Sequence, residues 1–130
     1  MSAAMGSVLL AGLGGFVGSS LCYGVALLLP SASRGGLGLA TVAVNVVGCL
    51  AIGVLTQAMA SRDALSPQLT VFLMVGLLGG FTTFSTFGHE TVEMWQQRGP
   101  SLALLVAAAH VALGVGAVWV GRLAVQRVLS

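Results

Sequence analysis

The side chains that could do chemistry in this sequence sit inside apolar runs, and most of them fall in one stretch. Gly79, Gly80, Phe81, Thr82, Thr83, Phe84, Ser85, Thr86 and Phe87 follow one another without interruption. A glycine pair followed by β-branched threonine is a weak helix, so a break is predicted there. A break at membrane depth frees backbone carbonyls, which is tolerated where the backbone is buried or lines a cavity, and such carbonyls commonly coordinate a cation. Where the helix resumes, Phe84 and Phe87 stack at i, i+3, while Thr83, Thr86 and Glu90 form an adjacent stripe at i, i+3, i+7. A phenyl ring is electropositive at its edge. Two rings seen edge-on could therefore help hold a small anion that hydroxyl and amide donors also hydrate, or they could simply face lipid or fill a helix crossing.

Three further polar residues belong to the same problem. Thr41 and Asn45 lie four apart on one helix face, with Gly48 or Cys49 continuing it. The Asn45 amide, with two donors and an acceptor, can tie helices together or present N–H groups to an anion. His110 sits in the middle of the last apolar run, where an imidazole either bonds a neighbouring helix or lines a pore. His89 and Glu90 read as residues at the end of a span.

The elements that must position these groups follow from composition. The chain has 130 residues, of which 57% are hydrophobic, and its charges are five Lys+Arg and three Asp+Glu. A soluble domain needs roughly a quarter of its residues charged; 6% excludes one. Disorder is excluded by the hydrophobicity, and a net charge of +2 from scattered Arg excludes a phosphate-reading nucleic-acid binder. The fold class is all-α and integral to the membrane, since the runs lack a period of two and a barrel needs more strands. Runs of about 20 apolar residues give four spans in a single domain over residues 1–130: about 5–29, 37–59, 69–87 and 102–120. They are separated by Pro30, Ser31, Ser33 and Arg34, by Ser61, Arg62, Asp63, Ser66 and Pro67, and by Gln96, Gln97, Arg98, Gly99 and Pro100. No basic residue precedes Arg34, so the first span is expected to be retained rather than cleaved as a signal peptide. Gly14 with Gly18 and Gly76 with Gly80 are GxxxG pairs suited to close helix packing, and His110, Gly114, Ala117 and Gly121 form a largely small-residue face. Cys22 and Cys49 read as small apolar packing residues.

Four spans put Arg62, Arg122 and Arg127 on one side and Arg34 and Arg98 on the other. That near balance gives the positive-inside rule nothing to act on, so either the chain inserts both ways or a partner pins its orientation.

The string GGFTTFSTFGHE from Gly79 to Glu90 resembles the signature of the Fluc (CrcB-type) fluoride channels. Thr41, Val44, Asn45 and Gly48 resemble that family's second-helix motif, and Gly14, Gly15 and Gly18 followed by Tyr23 its first. The resemblance implies a passive fluoride-selective channel of the cell inner membrane, not an enzyme, that exports the ion from the cytoplasm. It implies four transmembrane helices with a break in the third, in an antiparallel dual-topology dimer with two pores. The carbonyls of Gly79 and Thr82 would hold a central structural sodium ion, two from each chain. Phe84 and Phe87 would line the fluoride path, Asn45 would be the pore amide, and Thr41, Thr86 and Glu90 would belong to the polar track or its vestibule. His110 falls where the family often places a hydroxyl. Cys22 stands where the family usually has an Arg before its first-helix Tyr, so the partner is either an identical copy, with Arg34 or another basic group substituting, or a homologous second subunit that keeps the Arg.

A proton-coupled multidrug exporter of four spans is the competing class. It needs a membrane-embedded carboxylate, and Asp63, Glu90 and Glu93 all fall at or beyond the span ends. A third class, an assembly subunit that transports nothing, predicts no flux from the chain alone.

Overall fold

The computed structural model describes residues 3–29, 38–61 and 65–129. The turn read at Pro30, Ser31, Ser33 and Arg34, and Arg62 and Asp63 of the second connection, lie outside them. Four helical stretches are long and apolar enough to cross a membrane, Ala4–Leu28, Leu39–Ser61, Pro67–Arg98 and Pro100–Leu129, and the described residues contain no strand. This is a multi-pass membrane protein. The helices are α1 (Ala3–Leu28), α2 (Leu39–Ser61), a third that is broken into α3 (residues 67–81) and α4 (Phe84–Arg98), and α5 (Pro100–Leu129).

The helix ends have local causes. Ser66 accepts the Leu69 N–H at 3.2 Å and Pro67 occupies the first turn, a capped start that places the third helix two residues ahead of its apolar run. At its other end Gln96, Gln97 and Arg98, which read as connection, are helical, because these residues propagate a helix well. The whole turn is Gly99, at φ 94°, a left-handed conformation that glycine adopts without a Cβ penalty. The fourth helix likewise outruns its apolar segment and continues through Arg122 and Arg127 to Leu129.

α1 packs chiefly on α3, and α2 on α5. Glycine sets both distances. A Cβ on Gly18 would run into the Leu77 carbonyl, and one on Gly76 would lie 2.7 Å from the Ala11 carbonyl; the two GxxxG pairs face each other. Gly121 meets the Leu50 carbonyl in the same way. Hence Gly18→Ala should lower the melting temperature in detergent, overpacking of this kind costing about 1–3 kcal/mol, whereas Gly12→Ala, with nothing within 4 Å of the new carbon, should not. Equal melting temperatures would mean that the α1–α3 contact can open without cost.

Val71–Leu78, the larger part of α3, is π-helical, a wide-turn geometry that recurs beside functional sites. It delivers the chain into the break. Among the described residues the buried apolar core is small (Val44, Leu78, Met94 and Ala103), while Phe16 and Phe84 are 74% and 81% exposed in the single chain. Such surface is stable only against lipid or another protein.

Candidate functional site

The break falls at Thr82 and Thr83, whose φ/ψ of −87°/153° and −134°/88° are non-helical. A side chain from α2 holds it. Asn45 Oδ1 accepts the Thr83 N–H at 2.8 Å, and Asn45 Nδ2 donates to the Thr83 carbonyl at 3.3 Å. One amide thus satisfies both polar groups of one peptide residue, as a neighbouring strand would. In an unbroken helix the Thr83 N–H would go to the Gly79 carbonyl; here Asn45 takes it, and the Gly79 and Thr82 carbonyls have no hydrogen-bond partner among the described residues. Thr82 turns its hydroxyl back onto the Leu78 carbonyl at 3.0 Å and lays its methyl on α2 at Gly48, where a Cβ would collide with it. The Gly three residues after Asn45 was the one sequence signal for this close approach.

The other side of the Asn45 amide meets α5, with Nδ2 3.1 Å from His110 Nε2. His110 is 6% exposed. Its ring centroid lies 4.6 Å from that of Phe87, which in turn lies 5.8 Å from Phe84, both pairs tilted. Asn45, Gly79, Thr82, Phe84, Phe87 and His110 line one cavity of about 440 Å³. Six of the sequence-predicted residues therefore come together in one place, with the two phenyl rings, the amide, the imidazole, Gly79 and Thr82 around a shared space.

The hydroxylic residues face a second cavity, of about 310 Å³, lined by Ser19, Cys22, Tyr23, Thr41, Thr83 and Thr86 among others. Asn45 and Thr83 form the wall between the two. Thr86 lines this second space rather than the aromatic one. Glu90 is tied in through Thr41, whose hydroxyl donates to Glu90 Oε1 at 2.8 Å, level with the first turn of α2. The link between Thr41 and Glu90 joins elements 49 residues apart, and spacing along the chain gave no sign of it. Gly38 leaves room for the carboxylate, since a Cβ there would sit 2.9 Å from Oε1. Three buried polar atoms have no hydrogen-bond partner among the described residues: Thr83 Oγ1, Glu90 Oε2 and His110 Nδ1. His110 lines the first cavity and Thr83 the second, while Glu90 reaches the second through its bond to Thr41. The described residues hold no cluster of three or more His, Cys, Asp or Glu that could bind a metal; a cation here would rely on carbonyl oxygens.

Residues 9–122 match the family model described as CrcB-like protein, Camphor Resistance (CrcB). The chain belongs to the CrcB-like family. Three similar proteins carry the name fluoride-specific ion channel FluC. The one from Nitratidesulfovibrio vulgaris is 41% identical over 90% of this chain and 94% of its own length. That from Paracoccus denitrificans is 40% identical over 84% and 86%. That from Chlorobium phaeobacteroides (strain DSM 266) is 46% identical over 66% of each. The matched region contains every residue of both cavities.

Proposed function

We propose that this CrcB-like protein is a fluoride-selective channel of the cell inner membrane that lowers cytoplasmic fluoride by passive export. The observation that carries this reading is the broken third helix pinned by Asn45, with Phe84, Phe87 and His110 drawn up beside the break. Fluoride is small and strongly hydrated, so a selective path must replace its water with donors of fixed position. Ring edges of Phe84 and Phe87, the His110 imidazole held by Asn45, and the Thr86 hydroxyl, with Thr41 tying Glu90 in beside it, are such a set. The relatives' names support the same ion.

The working unit is an antiparallel dimer. The near-even arginine distribution supports two insertions, and Phe84, 81% exposed in one chain, borders the aromatic cavity where a second copy would cover it. The carbonyls of Gly79 and Thr82 fit a sodium ion, because Asn45 has removed the N–H that Gly79 would otherwise accept. When bound, the ion would neutralise the carbonyl dipoles at the membrane centre and lock the breaks of two chains together. Asn45 and Gly48 do the positioning from α2.

The test is fluoride efflux from liposomes containing this chain alone. Fluoride should leave and chloride should not; equal chloride conductance, or no fluoride efflux, defeats the reading, and efflux of organic cations driven by a pH gradient would replace it with the exporter. Thr41→Val leaves both Glu90 oxygens without a donor, the buried Oε2 being unpartnered already. Fluoride flux should fall about tenfold, the effect of roughly 1.4 kcal/mol on a barrier, with little change in chloride exclusion.

A further inference from the structure

Both N–H bonds of the Asn45 amide are spent within the chain, one on the Thr83 carbonyl and one on His110 Nε2. The amide cannot turn over, because its oxygen receives the Thr83 N–H at 2.8 Å and a reversed amide would set N–H against N–H. His110 Nε2 consequently faces a donor and must be the acceptor of that pair. A neutral imidazole with a bare Nε2 carries its proton on Nδ1. His110 Nδ1 is buried, has no hydrogen-bond partner among the described residues, and belongs to a side chain that lines the aromatic cavity. A buried donor left without an acceptor is costly, and an anion in the cavity would supply one. The pore amide thus passes its donor function on: Asn45 holds the break, and His110 holds out the N–H.

We propose that His110 meets the permeating fluoride with Nδ1–H in a single enforced tautomer, and that a second proton, on Nε2, closes the path by setting N–H against the Asn45 amide and loosening its grip on Thr83. This rests on the fluoride-channel reading of the same site. Asn45 of α2 and Phe87 of α4 meet the ring directly, and Glu90 of α4 brings the neighbouring charge. Cys49 of α2 and Met74, Leu78 and Gly79 of α3 line the same cavity. α5 has no titratable side chain within a turn of His110 on either side. A proton that alters flux by this route therefore acts on His110, with Glu90 as the one neighbouring charge to control for.

Two measurements test it. The first is fluoride efflux from liposomes between about pH 8 and about pH 5, the window in which histidine ordinarily changes charge, corrected for hydrogen fluoride leak through protein-free vesicles. The parent chain should lose at least tenfold in rate as the pH falls. His110→Ser, whose hydroxyl can accept from Asn45 and donate onward without titrating, should give a flat profile whatever its absolute rate; Glu90→Gln should keep the fall. His110→Leu should lose flux at every pH. The second measurement needs no flux: nitrogen-15 NMR of labelled histidine in bilayers at neutral pH, with His89→Gln to assign the two rings. It should show a protonated Nδ1 and a bare Nε2 for His110. The opposite tautomer overturns the proposal outright. A pH profile retained in His110→Ser overturns the proton switch while the channel stands, and absence of efflux at any pH overturns both the donor role and the channel reading.

Discussion

Asn45→Leu should reduce fluoride efflux to the level of protein-free liposomes and lower the melting temperature of the protein in detergent. The substitution keeps the branched shape of the side chain and removes its polar atoms, so the effect is chiefly that of the hydrogen bonds. It orphans two groups at once, the Thr83 N–H and His110 Nε2, and leaves the Thr83 carbonyl with the Phe87 N–H alone. Each buried polar group left unmade costs about 1–3 kcal/mol, and the pair is a large fraction of a domain's stability of about 5–15 kcal/mol. The cheapest escape is to re-form a continuous helix, returning the Thr83 N–H to the Gly79 carbonyl. That would hide the carbonyls proposed for sodium and turn Phe84 and Phe87 away from the cavity. Asn45→Asp provides the graded comparison. A neutral acid there still accepts the Thr83 N–H but has one donor for two acceptors, so efflux should fall by about tenfold, in line with one lost bond of roughly 1.4 kcal/mol, without loss of the fold. An Asn45→Leu protein that melts and conducts like the parent would mean that the break persists without its clamp, and that Asn45 is packing.

The clamp also shows where the sequence stops being informative. The four spans and the break were legible because hydrophobic run length and the weak helix at Gly79–Thr83 are properties of adjacent residues. The facing of Gly14 and Gly18 to Gly76 and Gly80 was half legible: each pair announced a close contact, but neither named its partner. What spacing could not show is which peptide Asn45 would grip, since Thr83 lies 38 positions away and an unpaired peptide group does not name the side chain that will satisfy it. The same holds for Thr41 and Glu90. The aromatic and hydroxylic stripes, neighbours in sequence, face different cavities: Phe84 and Phe87 line one, Thr83 and Thr86 the other. The π-helical run before the break carries no sequence mark at all.

Replacing Phe84 and Phe87 together by Ile should slow fluoride efflux by at least tenfold while leaving the fold intact, and the two single variants decide how many chains build the path. Isoleucine keeps apolar bulk and removes the electropositive ring edge, so lost flux without lost stability assigns the rings to the ion. Phe87 lies 4.6 Å from His110 by ring centroids and lines the cavity from within its own chain, so Phe87→Ile should be costly whatever the assembly. Phe84 is different. It is 81% exposed in the single chain, and in a monomer its ring would lie in lipid, where exchange for isoleucine is nearly neutral. In an antiparallel dimer that surface is covered and the ring enters a path shared with the second copy, so Phe84→Ile should then cost about as much as Phe87→Ile. Each should be worth roughly 1 kcal/mol or more, five-fold or above in rate. A silent Phe84→Ile beside a damaging Phe87→Ile would leave a path built by one chain, and would remove the need for the antiparallel partner. Two silent variants would reduce the aromatic pair to packing and leave His110 and the hydroxyls as the only donors facing the ion.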